Sequence, residues 1–223
     1  MRRKLAFVLV TVALLSLPFL IRPALAAISI QAGPSASQLL AKVKTCSSPS
    51  GKYATDDGER STISICKAGK AYFWKADMDI DCDGIRTSNC NEHTDCCFQP
   101  QTSFETSKGR PFQADKTHFF VIPLPSSRFD YRRAGIKPGS VAAVIFKSKV
   151  VYAVFADEGP KNIIGEASYA TAKALGINPD PSNGGTDSGV TYIVFPGKVP
   201  SPVESNTAID RTGAAAADAF VRG

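Results

Sequence analysis

Two acidic residues, Asp157 and Glu166, occupy positions from which they could carry out acid–base chemistry. Asp157 follows residues 150–155, an apolar run rich in β-branched and aromatic side chains that predicts a buried strand. Glu166 precedes a segment of good helix formers that we expect to end at Gly176, a typical C-cap residue. Two carboxyl groups on opposite sides of a sugar can serve as the acid and base that cleave a glycosidic bond. The structural alternative is that Asp157 is a turn residue and that Glu166 only stabilises a helix start.

Residues 71–83 form a second acidic stretch. Apolar and polar side chains alternate along it with a period of two, which predicts a strand with one apolar face and one acidic face. Like charges on one face repel one another, and a cationic ligand would offset this cost. We therefore expect the acidic face to bind a cationic substrate. Its carboxylates are Asp77, Asp79, Asp81 and Asp83.

Two kinds of metal site are alternatives that the sequence fits only in part. Residues 79–84 match the opening of a calcium loop, but Cys90 stands where that loop needs Glu, and the preceding residues predict a strand instead of a helix. A cysteine-rich segment could bind zinc, yet its spacing fits no standard zinc motif. We expect no metal and no other cofactor. The zinc candidates are Cys82, Cys90, His93, Cys96 and Cys97.

The chain begins with a predicted secretory signal peptide, residues 1–26. A basic start, an apolar run and a small-x-small end are typical of such a segment, and an uncleaved membrane anchor is the alternative. Of the 26 basic residues, Arg2, Arg3, Lys4 and Arg22 lie here, against none of the 20 acidic ones. Because the mature chain then has nearly balanced charge, nothing indicates nucleic-acid binding. We expect a secreted, extracellular monomer with no membrane contact after cleavage.

The remaining residues, 27–223, are enough for one domain with a hydrophobic core, with a linker-like segment at 28–36 and a C-terminal loop and helix at 196–223. An even number of cysteines in an exported protein predicts disulfides, and all of them lie in its N-terminal half. We exclude only the Cys96–Cys97 pairing, because adjacent cysteines rarely have room to bond. The six are Cys46, Cys66, Cys82, Cys90, Cys96 and Cys97.

Several short predicted strands, two or three helices and one core favour a mostly-β domain, a compact barrel with peripheral helices. A strand ends at proline, a G-I-K-P-G turn and a hairpin follow, and Asp157 then precedes a glycine-rich loop. This order is similar to that of small six-stranded double-psi β-barrels. We expect such a barrel with a disulfide-stapled N-terminal half.

Five stretches together resemble the chitosanases of glycoside hydrolase family 75, in the order that the family shows. The resemblance covers most of the mature chain, from about Cys66 to Phe195. The stretches are W-K-A-D-M-D-I-D-C-D-G (74–84), V-V-Y-A-V-F-A-D-E-G-P (150–160), I-G-E-A-S (164–168), L-G-I-N-P (175–179) and G-G-T-D-S-G-V-T-Y-I-V-F (184–195).

The resemblance implies endo-hydrolysis of chitosan, a β-1,4-linked polymer of glucosamine, with inversion at the anomeric carbon. It places the catalytic pair on Asp157 and Glu166, and we add Asp187 in the last motif to the substrate-binding acids. Chitosan is polycationic when its amines are protonated, so the acidic strand would attract it. Sequence leaves open which of the two residues is the acid and which the base, and a longer reach favours Glu166 as the acid.

Two other classes of function compete with this interpretation. One is a hydrolase of another cell-wall polymer, against which the acidic strand argues because neutral polymers do not need it. The other is a non-catalytic secreted protein, either a carbohydrate-binding barrel or a calcium-binding module. The presence of both candidate catalytic acids argues against the binding barrel.

Overall fold

The structure is a computed structural model that describes residues 33–47 and 49–223. The predicted signal peptide and most of the linker-like segment therefore lie outside the described residues. Within the described part, no helix is long and apolar enough to cross a membrane.

The described residues contain eight strands and three helices. The helices are α1 (Ala36–Lys42), α2 (Tyr169–Leu175) and α3 (Asn206–Arg222). The strands are β1 (Ser50–Tyr53), β2 (Ile63–Ala68), β3 (Ala71–Asp81), β4 (Phe119–Pro123), β5 (Val141–Phe146), β6 (Lys149–Gly159), β7 (Glu166–Ser168) and β8 (Thr186–Val194).

Six of the strands close into a barrel in the order β3-β7-β4-β6-β5-β8, and pairing between β3 and β8 completes the ring. The β3–β7 and β4–β6 pairs are parallel, whereas the other pairs of the ring are antiparallel. β1 and β2 extend the sheet outside the ring from the N-terminal part of β3. The prediction of a six-stranded barrel with peripheral helices is confirmed.

β5 and most of β6 are buried on both faces, which explains why they are nearly continuous apolar runs in the sequence. One face packs around Trp74, whose ring stacks on Tyr192 at 5.2 Å and also contacts Phe120. The other face packs under α1 and α3, with Tyr152 against the backbone of Gly213. Rigid packing on both faces fixes the strand ends that carry the candidate site.

Two disulfides staple the N-terminal half, as predicted. Cys46–Cys66 ties the segment after α1 to β2, and Cys82–Cys90 closes the loop that follows β3. Because Cys82 and Cys90 are bonded to each other, they are not available as zinc ligands, and the five-residue zinc alternative is wrong. The segment before residue 79 is the strand β3, so the calcium-loop alternative also lacks its entering helix.

Candidate active site

Asp157 lies near the end of β6 and is 6% exposed. Its Oδ1 accepts hydrogen bonds from the backbone N–H of Ser103 at 2.9 Å, from the Ser103 hydroxyl, and from the N–H of Glu158 at 2.8 Å. Its Oδ2 is buried and has no hydrogen-bond partner among the described residues. Burial raises the Asp157 pKa, and the Ser103 and Glu158 donors oppose that rise. One oxygen is therefore fixed by three donors, and the other is buried without a partner in the described part of the chain.

Glu166 begins β7, where it is in register with Asp79 of the parallel strand β3. Burial, with added repulsion from the charges of Asp79 and Asp157, raises the pKa of Glu166 to about 8. A Cβ built on Gly159 would lie only 3.4 Å from Glu166 Oε2, so the carboxyl group reaches toward the end of β6. Glu166 and Asp157 thus belong to one group of interacting acids.

The helix after Glu166 begins later than predicted, whereas its predicted C-cap, Gly176, is confirmed. α2 begins only at Tyr169, and its N-cap is Ser168, whose hydroxyl accepts from the N–H of Thr171. The local sequence is helix-compatible, but pairing of β7 with both β3 and β4 holds Glu166 in an extended backbone. Burial, and not a helix dipole, is therefore the main influence on the pKa of Glu166.

Asp81 and Asp83 bring two further carboxyl groups to Asp157. One carboxylate oxygen from each of these three residues lies within 4.8 Å of the others. Asp81 Oδ1 accepts from the N–H of Asp83 at 2.6 Å, and Asp83 Oδ1 accepts from the N–H of Gln99 at 2.7 Å. Burial, with the charges of Glu166 and Asp157, raises the Asp81 pKa strongly, while burial raises that of Asp83 to about 6. Three oxygens this close could also hold a divalent cation.

The other predicted substrate-binding acids lie farther along the same edge. Asp79 is exposed, and partial desolvation with the charges of Asp56 and Asp187 raises its pKa to about 6. Asp187, also exposed on β8, is therefore close enough to act on Asp79 through its charge. Asp77 differs from both, since it is 5% exposed and lies behind Gly165 instead of on an open surface. The acidic face is thus partly buried.

Sequence reasoning missed Ser103, the residue that fixes Asp157. Ser103 lies in the long segment between β3 and β4, where no periodicity links it to a strand 54 positions later. The same segment supplies Gln99, which binds Asp83, and Asp95, whose charge adds to the rise in the Glu166 pKa. No local signal in the sequence identified these three residues.

A closed β-barrel that holds two carboxyl groups in different environments, inside a cluster of further acids, has the equipment of a glycoside hydrolase. A profile of the family described as "Fungal chitosanase of glycosyl hydrolase group 75" matches residues 78–220. The chain belongs to this family, which confirms the resemblance identified from its motifs.

Three endo-chitosanases of Aspergillus oryzae are similar to the chain. Endo-chitosanase C is 33% identical over 153 residues, which cover 67% of this chain and 38% of that protein. A protein named endo-chitosanase is 31% identical over 164 residues, covering 69% of this chain and 66% of that protein. Endo-chitosanase B is 32% identical over 136 residues, covering 57% and 56%. The chain therefore spans well under half the length of endo-chitosanase C.

Proposed function

We propose that this protein is an endo-acting chitosanase that hydrolyses the β-1,4 bonds between glucosamine units of chitosan. The observation that carries the proposal is the cluster of carboxyl groups around Asp157 and Glu166. Protonated glucosamine units are cations, and a cleft lined by one sign of charge attracts a ligand of the opposite sign. Asp79 and Asp187 lie exposed at this cleft, where they can pair with ammonium groups. Family membership supports the same substrate.

In the proposed mechanism, Glu166 is the general acid that protonates the leaving glycosidic oxygen. A pKa of about 8 keeps its carboxyl group protonated at neutral pH. Asp157 is the general base. Its Oδ1 is held by donors that favour the carboxylate. Its Oδ2, which is buried and unpaired among the described residues, would take the proton once the attacking water is brought to it.

A single displacement of this kind inverts the anomeric carbon and needs about 6.5–9.5 Å between the two carboxyl groups, which leaves room for the water. Burial and the charges of Glu166 and Asp157 raise the pKa of Asp81, and protonation of Asp81 would limit the repulsion on the Asp157 carboxylate. We propose a secreted, extracellular enzyme, because disulfides persist in oxidising compartments and the chain starts with a signal-peptide pattern. We also expect a monomer.

The test is reducing-end release from soluble, highly deacetylated chitosan by the parent and by Asp157→Asn and Glu166→Gln. We expect each substitution to lower kcat by at least about 1,000-fold with an unchanged circular dichroism spectrum. Asp57→Asn and Glu59→Gln are matched controls, since both lie exposed in the loop before β2. A folded parent that leaves chitosan intact would refute the proposal and favour the carbohydrate-binding barrel.

Azide separates the two catalytic roles, because it can replace the attacking water. We expect azide to restore cleavage by the Asp157→Asn variant, whose general acid is intact, with transfer of the sugar to azide. Azide should not restore cleavage by Glu166→Gln. Rescue of Glu166→Gln alone would reverse the assignment. The anomer formed first, read by proton NMR, reports inversion independently of either variant.

A further inference from the structure

All six cysteines of the chain lie in the described residues, and two of them are outside the disulfides already described. Cys96 and Cys97 lie in the long segment between β3 and β4, and both are exposed. Their Sγ atoms are 2.7 Å apart. A disulfide bond measures about 2.05 Å, so the two sulfurs need to move together by less than about 1 Å to bond.

The backbone around this pair is anchored on both sides. The N–H of Cys97 donates to Asp95 Oδ1 at 2.9 Å, and the N–H of Asp95 donates to the carbonyl of Asn91 at 2.9 Å. On the other side, the N–H of Gln99 donates to Asp83 Oδ1 at 2.7 Å. The loop therefore presents the two thiols next to each other without any rearrangement of the barrel.

Sequence alone argues against a bond between adjacent cysteines. Consecutive Cα atoms are about 3.8 Å apart, which is shorter than the usual span of about 4.4–6.8 Å across a disulfide. The anchored loop offsets this objection here, because it already holds the side chains on the same side with their sulfurs in contact. A short span remains a source of strain, and strain makes a disulfide easier to reduce.

We propose that Cys96 and Cys97 are a redox-active pair that closes a vicinal disulfide, an eight-membered ring, in the long segment between β3 and β4. The oxidant is a low-molecular-weight disulfide. One Cys thiolate attacks it and expels one thiolate, and the second Cys thiolate then attacks the mixed disulfide and expels the other. Two protein thiols are oxidised, and one external disulfide is reduced to two thiols. The proposal does not rest on the chitosanase activity.

The chemistry of the pair supports this exchange. Both thiols are open to solvent, so a small disulfide can reach them. By contrast, Cys82 and Cys90 are at most 1% exposed, and Cys66 is 5% exposed although its partner Cys46 is exposed. The vicinal bond is therefore expected to open before the two structural disulfides.

The test equilibrates the full-length mature protein with glutathione disulfide in the presence of EDTA, quenches it in acid, and then denatures and alkylates it. Peptide mass spectrometry then reads the peptide that contains residues 96–97. We expect an unlabelled peptide lighter by about 2 Da than its dithiol form, since closure removes two hydrogens. A phosphine reductant is then added in steps, and each sample is alkylated. This peptide should gain two alkyl groups at a lower reductant concentration than any other cysteine peptide.

Cys97→Ser is the matched variant, because it keeps Cys96 and removes its neighbour. After the same treatment, we expect Cys96 in this variant to carry one glutathione or one alkyl group. The proposal is overturned if the parent peptide carries two alkyl groups or a glutathione adduct after oxidation. It is also overturned by a disulfide-linked dimer on a non-reducing gel, or if the parent and Cys97→Ser peptides give the same result.

Discussion

At the scale of single residues, Asp157 and Glu166 are held by opposite means. Three donors converge on one oxygen of Asp157, whereas the Glu166 carboxyl group is desolvated and lies among the charges of other acids. Donors favour a carboxylate, and burial beside negative charge favours a neutral acid. Enzymes that use two carboxyl groups for different steps need this separation of their pKa values.

Ser103→Ala tests the donors on Asp157. The substitution removes the hydroxyl donor and keeps the backbone N–H, so the Asp157 pKa should rise and the acidic limb of the kcat/KM profile should move to higher pH. Activity on the acidic side of the profile should fall. Ser107→Ala is the control, because Ser107 binds Glu204 through the same two groups away from the cleft. An unchanged acidic limb would contradict Asp157 as the base.

Asp79→Asn tests the repulsion that acts on Glu166. An acid must be protonated to donate, so activity should fall as the pH rises through about 8. Removing the negative charge of Asp79 should lower the Glu166 pKa and move the alkaline limb to lower pH. Asp187→Asn is the control, since its charge acts on Asp79 and Asp77 and is not among those acting on Glu166. Equal shifts in both variants would indicate an effect on chitosan binding alone.

At the scale of elements, the short strand β7 positions the proposed acid. β7 pairs with β3 on one side and with β4 on the other. Ser168, at its end, accepts from the N–H of Phe119 at 3.1 Å and donates to the carbonyl of Thr117 at 2.8 Å. The chain enters β7 through Gly165, whose φ of 122° is in a region that other residues rarely adopt. These contacts set the direction of the Glu166 side chain.

Gly165→Ala should therefore displace Glu166. Its new Cβ would overlap the carboxylate of Asp77 and lie 3.1 Å from the Cβ of Ala76, in a strained backbone conformation. We expect a loss of about 2–4 kcal/mol in the free energy of unfolding, measured by urea titration, and a fall in kcat of more than about tenfold. Gly69→Ala is the control, with positive φ and open space around it. Equal effects of the two substitutions would contradict this account.

At the scale of the whole molecule, ionisation of the buried acids lowers the stability of the folded barrel. Burial and mutual repulsion raise the pKa of Asp77 to about 8, like that of Glu166, and of Asp79 and Asp83 to about 6. In the unfolded chain these groups titrate near pH 4. The folded protein therefore binds more protons between pH 4 and 8, so its stability falls as the pH rises through that window.

The melting temperature should accordingly drop between pH 5 and pH 8, and calorimetry at a series of pH values would measure it. Asp77→Asn removes the charge without changing the size of a side chain that is 5% exposed. We expect this variant to melt at least about 3 °C above the parent at pH 8 and close to it at pH 5. Asp57→Asn, which is exposed, should show no such difference. A parent that is more stable at pH 8 than at pH 5 would contradict the argument.

The sequence by itself determined the class of fold, most strand positions and the two candidate catalytic acids. Apolar runs and period-two alternation are local patterns, and the motifs that identify the family are continuous stretches. The sequence did not predict the strand β7 at Glu166, because a helix-forming segment follows directly. Pairing with β3 and β4 decides the backbone conformation there.

Only the tertiary structure decided which groups surround those acids. Ser103 fixes Asp157 from 54 positions away, and an oxygen of Asp81 reaches Asp157 from a different strand. It also decided that Asp77 is buried while Asp79 is exposed, although both lie on the strand face that the alternation predicts to be acidic. The physical reason is that side-chain pKa values depend on burial and on neighbouring charges, which barrel closure assembles from distant parts of the chain.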